Sequence, residues 1–158
     1  MLIYLDVCCL NRPFDDQTQE RIHLESEAVL AILERCQRGT WQILGSEGID
    51  SEVSRIPDQE RYIKVQHLAS IVYTRQAITR QIETRAGIVE QQGFKPFDSL
   101  HIACAEAGKA DIFLSVDDRL VGKAKEHQRK LHVRVENPVL WFMEVLFLDS
   151  NENNSGTD

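Results

Sequence analysis

The chain has 158 residues, enough for a single domain that buries roughly 70 % of its unfolded surface without disulfide or metal staples. Hydrophobic residues make up 42 % and charged residues 27 %, a balance that excludes wholesale disorder, collagen-like repeats and coiled-coil bias. A formal charge of −7 argues against a broad basic footprint for nucleic acid, but three of the acids (Asp149, Glu152, Asp158) lie in the polar C-terminal stretch, and carboxylates that hold a metal must be subtracted too.

Leu2-Ile3-Tyr4-Leu5 is a short apolar run ending in Asp6, too continuous for an amphipathic helix, and reads as a buried strand of a parallel sheet. The same opening lacks the early basic cluster of a secretory signal. After a loop containing Asn11-Arg12-Pro13, residues 17–38 place Ile22, Val29, Ile32, Leu33 and Cys36 at helical spacing, with Gly39 as the stop. Trp41 to Leu44 reads as a second strand, and Ser46 as the N-cap of a short helix carrying Ile49, Glu52 and Val53 up to Pro57. Residues 58–73 (Tyr62, Val65, Leu68, Ala69, Val72) and 76–91 (Ile78, Ile82, Ile88, Val89) predict a helical middle closed by Gly93. An apolar patch there suits either core packing or a dimer surface.

Pro96 opens a helix with Asp98 in its first turn, where a negative charge meets the positive end of the dipole. Its buried side is Leu100, Ile102, Ala103 and Ala105, and Gly108 is its stop. Ile112 to Val116 reads as a third strand running into Asp117-Asp118, followed by a short helix to His127. Val133 to Val135 is a fourth strand, and Asn137-Pro138 starts a last helix through Leu146. Residues 1–148 are expected to form one domain and 149–158 a disordered polar tail. No apolar run approaches the roughly 20 residues of a membrane span, so a cytoplasmic protein without membrane contact is expected. Cys8, Cys9, Cys36 and Cys104 show no C-x-x-C spacing and read as buried free thiols.

Strands separated by helices imply an α/β fold, a three-layer α/β/α sandwich with a mostly parallel central sheet. Ligands bind such sheets outside the carboxyl ends of the strands. Asp6 follows the first strand and Asp117 the third, so both project from one edge, and Glu52 and Asp98 lie where their helices pass it. Taken singly, each has an ordinary explanation: a turn or cap for Asp6 and Asp117, the helix dipole for Asp98, a solvated face for Glu52. Capping gives no reason for all of them to share an edge. Converging carboxylates repel unless a cation compensates, and Mg²⁺ or Mn²⁺ suits an all-oxygen site.

From Leu2 to Leu146 the sequence resembles the PIN-domain family of nucleases. The pieces that carry the resemblance are Ile3-Tyr4-Leu5-Asp6, Ser46 with Glu52-Val53, Phe97-Asp98-Ser99-Leu100-His101-Ile102-Ala103, Phe113-Leu114-Ser115-Val116-Asp117-Asp118, and Val135-Glu136-Asn137-Pro138. The resemblance implies that Asp6, Glu52, Asp98 and Asp117 are the acidic catalytic residues, and that the protein cleaves single-stranded RNA with Mg²⁺ or Mn²⁺. Many small bacterial members are VapC-like toxins of toxin–antitoxin pairs, usually dimeric, so an antitoxin partner and a homodimer are expected by analogy. In chemical terms, Asp6, Asp98 and Asp117 would hold the metal, and Glu52 would complete the site or act as general base. Two residues after the first acid, where the family commonly has Asn or a small hydroxyl residue, this chain has Cys8, a weaker hydrogen-bonding group.

Ser115 stands where Ser or Thr is usual, as a contact to water or phosphate or as an ordinary strand hydroxyl. Asp118 is a second candidate at the last acidic position, with N-capping as its alternative. Arg12 and Arg119 are the basic residues nearest the edge and are candidates for phosphate contact, against simple surface placement. Lys123, Lys125, Arg129 and Lys130 form a run that suits either an RNA backbone or a solvated face. His101, one turn from Asp98, reads as a half-buried histidine or a support of the site. Trp41, Trp141, Phe142 and Phe147 are assigned to packing.

The rival reading is a catalytically inactive PIN-like module that binds nucleic acid or protein; such a member would be expected to have lost at least one of the acids. A receiver-like phosphate pocket lacks support, because Val-Cys-Cys-Leu follows Asp6 without a second Asp and no glycine-rich phosphate loop is present.

Overall fold

The computed structural model describes residues 1–154. Its centre is a parallel sheet of five strands in the order β3-β2-β1-β4-β5. The strands are β1 (Leu2–Leu5), β2 (Gln42–Ser46), β3 (Thr74–Gln76), β4 (Ile112–Leu114) and β5 (Val135–Glu136). The helices are α1 (Val7–Asn11), α2 (Glu20–Gln37), α3 (Glu47–Val53), α4 (Gln59–Ala69), α5 (Arg80–Glu90), α6 (Pro96–Ala107), α7 (Asp118–Glu126) and α8 (Pro138–Asn154). This is the expected three-layer α/β/α arrangement. Ile3, Tyr4 and Leu5 of β1 and Ile112, Phe113 and Leu114 of β4 are all buried, as strands covered on both faces must be. The rings of Tyr4 and Phe113 stack at 5.1 Å across these strands.

Several local signals act as expected. Ser46 Oγ accepts from Ile49 N at 3.1 Å and caps α3, while Pro96 and Gly108 bound α6. Gly108 also serves a close approach, since a Cβ there would lie 2.4 Å from Leu44 Cδ2 in the core.

Elsewhere tertiary context redraws the boundaries. The loop expected after Asp6 forms α1, because Asp6 O accepts from Cys9 N and Val7, Cys9 and Leu10 bury themselves, and a 3-10 turn follows at Arg12–Phe14. The helical middle is interrupted by β3, whose Thr74, Arg75 and Gln76 carry no apolar alternation. An edge strand made of polar residues forms through its backbone pairing with β2, and its arginine discourages further pairing. Val72 therefore lies outside α4, and Ile78 precedes α5. Helix α8 runs to Asn154, past the expected end at Leu146, so residues 149–154 of the expected tail are helical. Propagation of an existing helix needs no further buried face. The rest of that tail lies outside the described residues. Phe147, assigned to packing, is 65 % exposed on α8, whereas Trp41 and Trp141 meet edge to face at 5.1 Å in the interior.

Candidate functional site

From β1 the chain moves outward through β2 to β3, then returns to β4 on the opposite side of β1. The carboxyl ends of β1 and β4 are therefore the switch point, where neighbouring connections diverge and leave a crevice. Asp6 and Asp117 enter it from these two strand ends. The backbone pairing continues one step past β1, with Asp6 N donating to Leu114 O at 2.9 Å. The Asp6 side chain is buried, and its Oδ2 accepts from Ser115 Oγ at 2.8 Å and from Cys8 Sγ at 3.2 Å. Ser115 Oγ in turn accepts from Asp117 N at 3.1 Å, so one hydroxyl ties the two strand ends together. Ser115 is wholly buried and thus supports Asp6 instead of facing a phosphate.

Glu52 arrives by another route. The Ser46 cap sets the direction of α3, and Ser46 Oγ also meets Tyr4 Oη at 2.7 Å. Tyr4 Oη lies 2.6 Å from His101 Nδ1, and His101 Nε2 lies 3.1 Å from Glu52 Oε2. This relay, buried at Ser46, Tyr4 and His101 and open to the cleft at Glu52, crosses from β1 through α6 to α3. Oxygens of Asp6 and Glu52 and a ring nitrogen of His101 all lie within 4.8 Å of one another. Asp98, one helical turn before His101, and Asp117 line the same cleft of about 420 Å³, together with Cys8, Asn11 and Arg55. Asp117 also caps α7, accepting from Arg119 N at 3.0 Å and Leu120 N at 3.4 Å.

The electrostatics follow from this crowding. Burial, then the charges of Asp6 and Asp117, push the Asp98 carboxyl up to about 6. Burial likewise raises Asp6, against the opposing influence of His101 and the Ser115 hydrogen bond. For His101, burial pulls downward, but the Glu52 hydrogen bond and the charges of Asp6, Glu52 and Asp98 together raise it above its usual value. Among the described residues, Asp6, Asp98 and Asp117 have no ion-pair partner, and the one basic group on Glu52 is His101. Carboxylates gathered in one cleft with a single imidazole among them fit a divalent cation that takes oxygen ligands.

The remaining candidates separate clearly. Arg12 does not reach toward a substrate: its guanidinium is bonded to buried Glu25 at 3.0 Å and to Asp15 at 3.2 Å. Asp118 is exposed and held by Arg21 at 2.7 Å, so it belongs to the start of α7 and not to the cleft. Arg119 is exposed beside Asp117. Of the basic run, Lys125 pairs with Glu136 at 3.1 Å, and none of Lys123, Lys125, Arg129 and Lys130 lines the cleft. Two residues with a place at the site escaped the sequence reading: Tyr4, which read as one more strand hydrophobe, and Arg55. The signal for Tyr4 was its hydroxyl at alternate spacing from Asp6, which puts both on one face of β1.

No protein-family model matches the sequence, and no curated protein matches it. Solved structures do match. One is the crystal structure of VapBC2 from Rickettsia felis bound to a DNA fragment from their promoter, with TM-score 0.58 and 16 % identity over 87 % of this chain and 98 % of that one. Another is VapBC-1 from nontypeable Haemophilus influenzae, with TM-score 0.54 and 14 % identity over 87 % and 98 %. The protein has the PIN fold, as the motifs implied. At these identities the likeness speaks for the fold, and the site must be argued from its own residues. Among the described residues no helix is long and apolar enough to cross a membrane.

Proposed function

We propose that the protein is a divalent-metal-dependent endoribonuclease that hydrolyses phosphodiester bonds of single-stranded RNA, and that it is the toxin of a toxin–antitoxin pair. The observation that carries the proposal is the gathering of Asp6, Glu52, Asp98 and Asp117 in one cleft at the switch point of a PIN fold, where none of the three aspartates forms an ion pair among the described residues. Asp6, Asp98 and Asp117 would hold Mg²⁺ or Mn²⁺. Bound there, the ion would neutralise charge on the scissile phosphate and make water nucleophilic at neutral pH.

The chain's own groups do the rest. Glu52 is the general base: one of its oxygens is held by His101 Nε2, and the carboxylate accepts the proton of the attacking water. With the Tyr4 hydroxyl donating to Nδ1, His101 is fixed as the tautomer that donates from Nε2. Ser115 and Cys8 hold Asp6 in the orientation a ligand needs.

The reading as a toxin is supported by two of the matching structures, which are VapBC structures, and brings with it an antitoxin partner, a homodimer and a cytoplasmic setting. The test is cleavage of a mixed pool of single-stranded RNAs with Mn²⁺, Mg²⁺ or EDTA, beside Asp6→Asn and Asp98→Asn. Metal-dependent cleavage lost in both folded variants is the expected result. A folded wild-type protein that neither cleaves nor binds Mn²⁺ would return the protein to the class of inactive binding modules.

A further inference from the structure

Arg55 lies just beyond the C-terminus of α3 and lines the cleft with Asp6, Glu52, Asp98 and Asp117. Yet it forms no ion pair among the described residues, while Arg12, Arg21 and Arg61 are each spent on a carboxylate. Its guanidinium instead sits 4.9 Å from the ring centroid of Phe97, the residue immediately before Asp98. Phe97 is itself stacked on His101, centroid to centroid 6.2 Å with 28° between planes, and His101 is locked in the buried relay. The guanidinium therefore has a seat anchored to the scaffold, and its N–H groups make no hydrogen bond among the described residues, so the fork stays available. A cleft lined by carboxylates must still admit a polyanion, and a planar fork of this kind matches two phosphate oxygens at once.

We infer that Arg55, seated on Phe97, binds a phosphodiester of the single strand next to the one being cleaved. The inference deepens the nuclease reading and rests on it for the identity of the strand. Arg55 touches the substrate backbone and carries no base preference, because a phosphate contact positions the strand without reading its sequence.

The test uses the full chain and a fluorescent single-stranded oligoribonucleotide, read by anisotropy with Ca²⁺ and by cleavage kinetics with Mn²⁺. Arg55→Gln is expected to raise Kd and KM about tenfold, as loss of one charge-assisted contact should. It should leave kcat within about threefold and lower the slope of log Kd against log salt by about 0.7. Arg55→Lys should recover part of the affinity, since it keeps the charge and loses the fork. Phe97→Leu should weaken binding by a smaller factor, because the charge stays and the seat is lost. The Mn²⁺-induced rise in Tm should be unchanged in Arg55→Gln, which a collapse of the site would not permit. An unchanged Kd and salt slope in that variant would overturn the inference. Arg55-dependent binding without Mn²⁺-dependent cleavage would uphold the phosphate contact and overturn the nuclease reading alone, and a wild type that neither binds nor cleaves would overturn both.

Discussion

At the level of single residues, the site combines side chains held by hydrogen bonds with one that is held by little. Asp6 is gripped by Ser115 and Cys8, and Glu52 by His101, whereas Asp98 has no such partner, and partial burial, then two like charges, raise it to about 6. Replacing Asp98 by Asn should therefore raise the melting temperature of the metal-free protein while abolishing cleavage. Scanning fluorimetry beside the RNA assay reads both, and a drop in Tm would mean that the carboxylate is a structural group. On the proposed reading His101 acts through Glu52, the general base. His101→Asn should lower kcat about tenfold, part of what a general base contributes, and leave Mn²⁺ affinity near the wild-type value. Tyr4→Phe, which keeps the ring volume, should produce a smaller loss of kcat by freeing the histidine tautomer. Cleavage kinetics beside calorimetric titration with Mn²⁺ measure each, and an unchanged kcat in both variants would reduce the relay to packing.

Secondary elements are joined around the cleft by a second polar cluster. Glu25 of α2, 1 % exposed, accepts from Arg12 Nε at 3.1 Å and from Asn137 Nδ2 at 2.7 Å, so it links the 3-10 turn after α1 to the start of α8. Arg12 and Arg61 share Asp15, and Arg61 also donates to Phe14 O at 2.8 Å, bringing in α4. Removing Arg12 would leave buried Glu25 with only the longer ion pair to Arg21 at 3.6 Å. Arg12→Met should cost about 3 kcal/mol in urea unfolding, while KM for RNA below the transition stays at the wild-type value. A raised KM with full stability would instead return Arg12 to the substrate. The contrast with Arg55 is physical: both arginines flank acids, but one is consumed by a buried carboxylate and the other rests on an aromatic ring.

For the molecule as a whole, pH and metal act on the same balance. Asp98 and Asp6 have folded-state values above those of the unfolded chain, and so does His101. Between about pH 4, the unfolded carboxyl value, and pH 6 the native state binds the additional protons, so stability declines as pH rises through this window and through the titration of His101. The metal-free protein should thus melt higher at pH 5.5 than at pH 7.5. On the proposed reading Mn²⁺ should reverse the ranking, because it would favour the ionised carboxylates and bind the native state alone. Its stabilisation should be large at pH 7.5 and small at pH 5.5 in the same fluorimetric scan. Equal shifts at both pH values would argue that the ion binds away from these acids.

Local chemistry in the sequence determined the strands that bury both faces, the Ser46 cap, the Pro96 and Gly108 limits of α6, and the four acids, because each depends on residue type and short spacing. Asp6, Glu52, Asp98 and Asp117 were legible as a set once the strands were taken as parallel, since strand ends of one sheet share an edge. Tertiary structure alone decided the rest. Strand β3 has no apolar pattern and exists by pairing with β2. Arg12 reads as near the cleft in sequence but faces Glu25, which is thirteen residues away and buried by the packing of α2. Tyr4, His101 and Glu52 become one relay only when β1, α6 and α3 meet. Composition and periodicity specify which face of an element turns inward, but the partner a polar side chain finds there depends on distances between elements far apart in the chain.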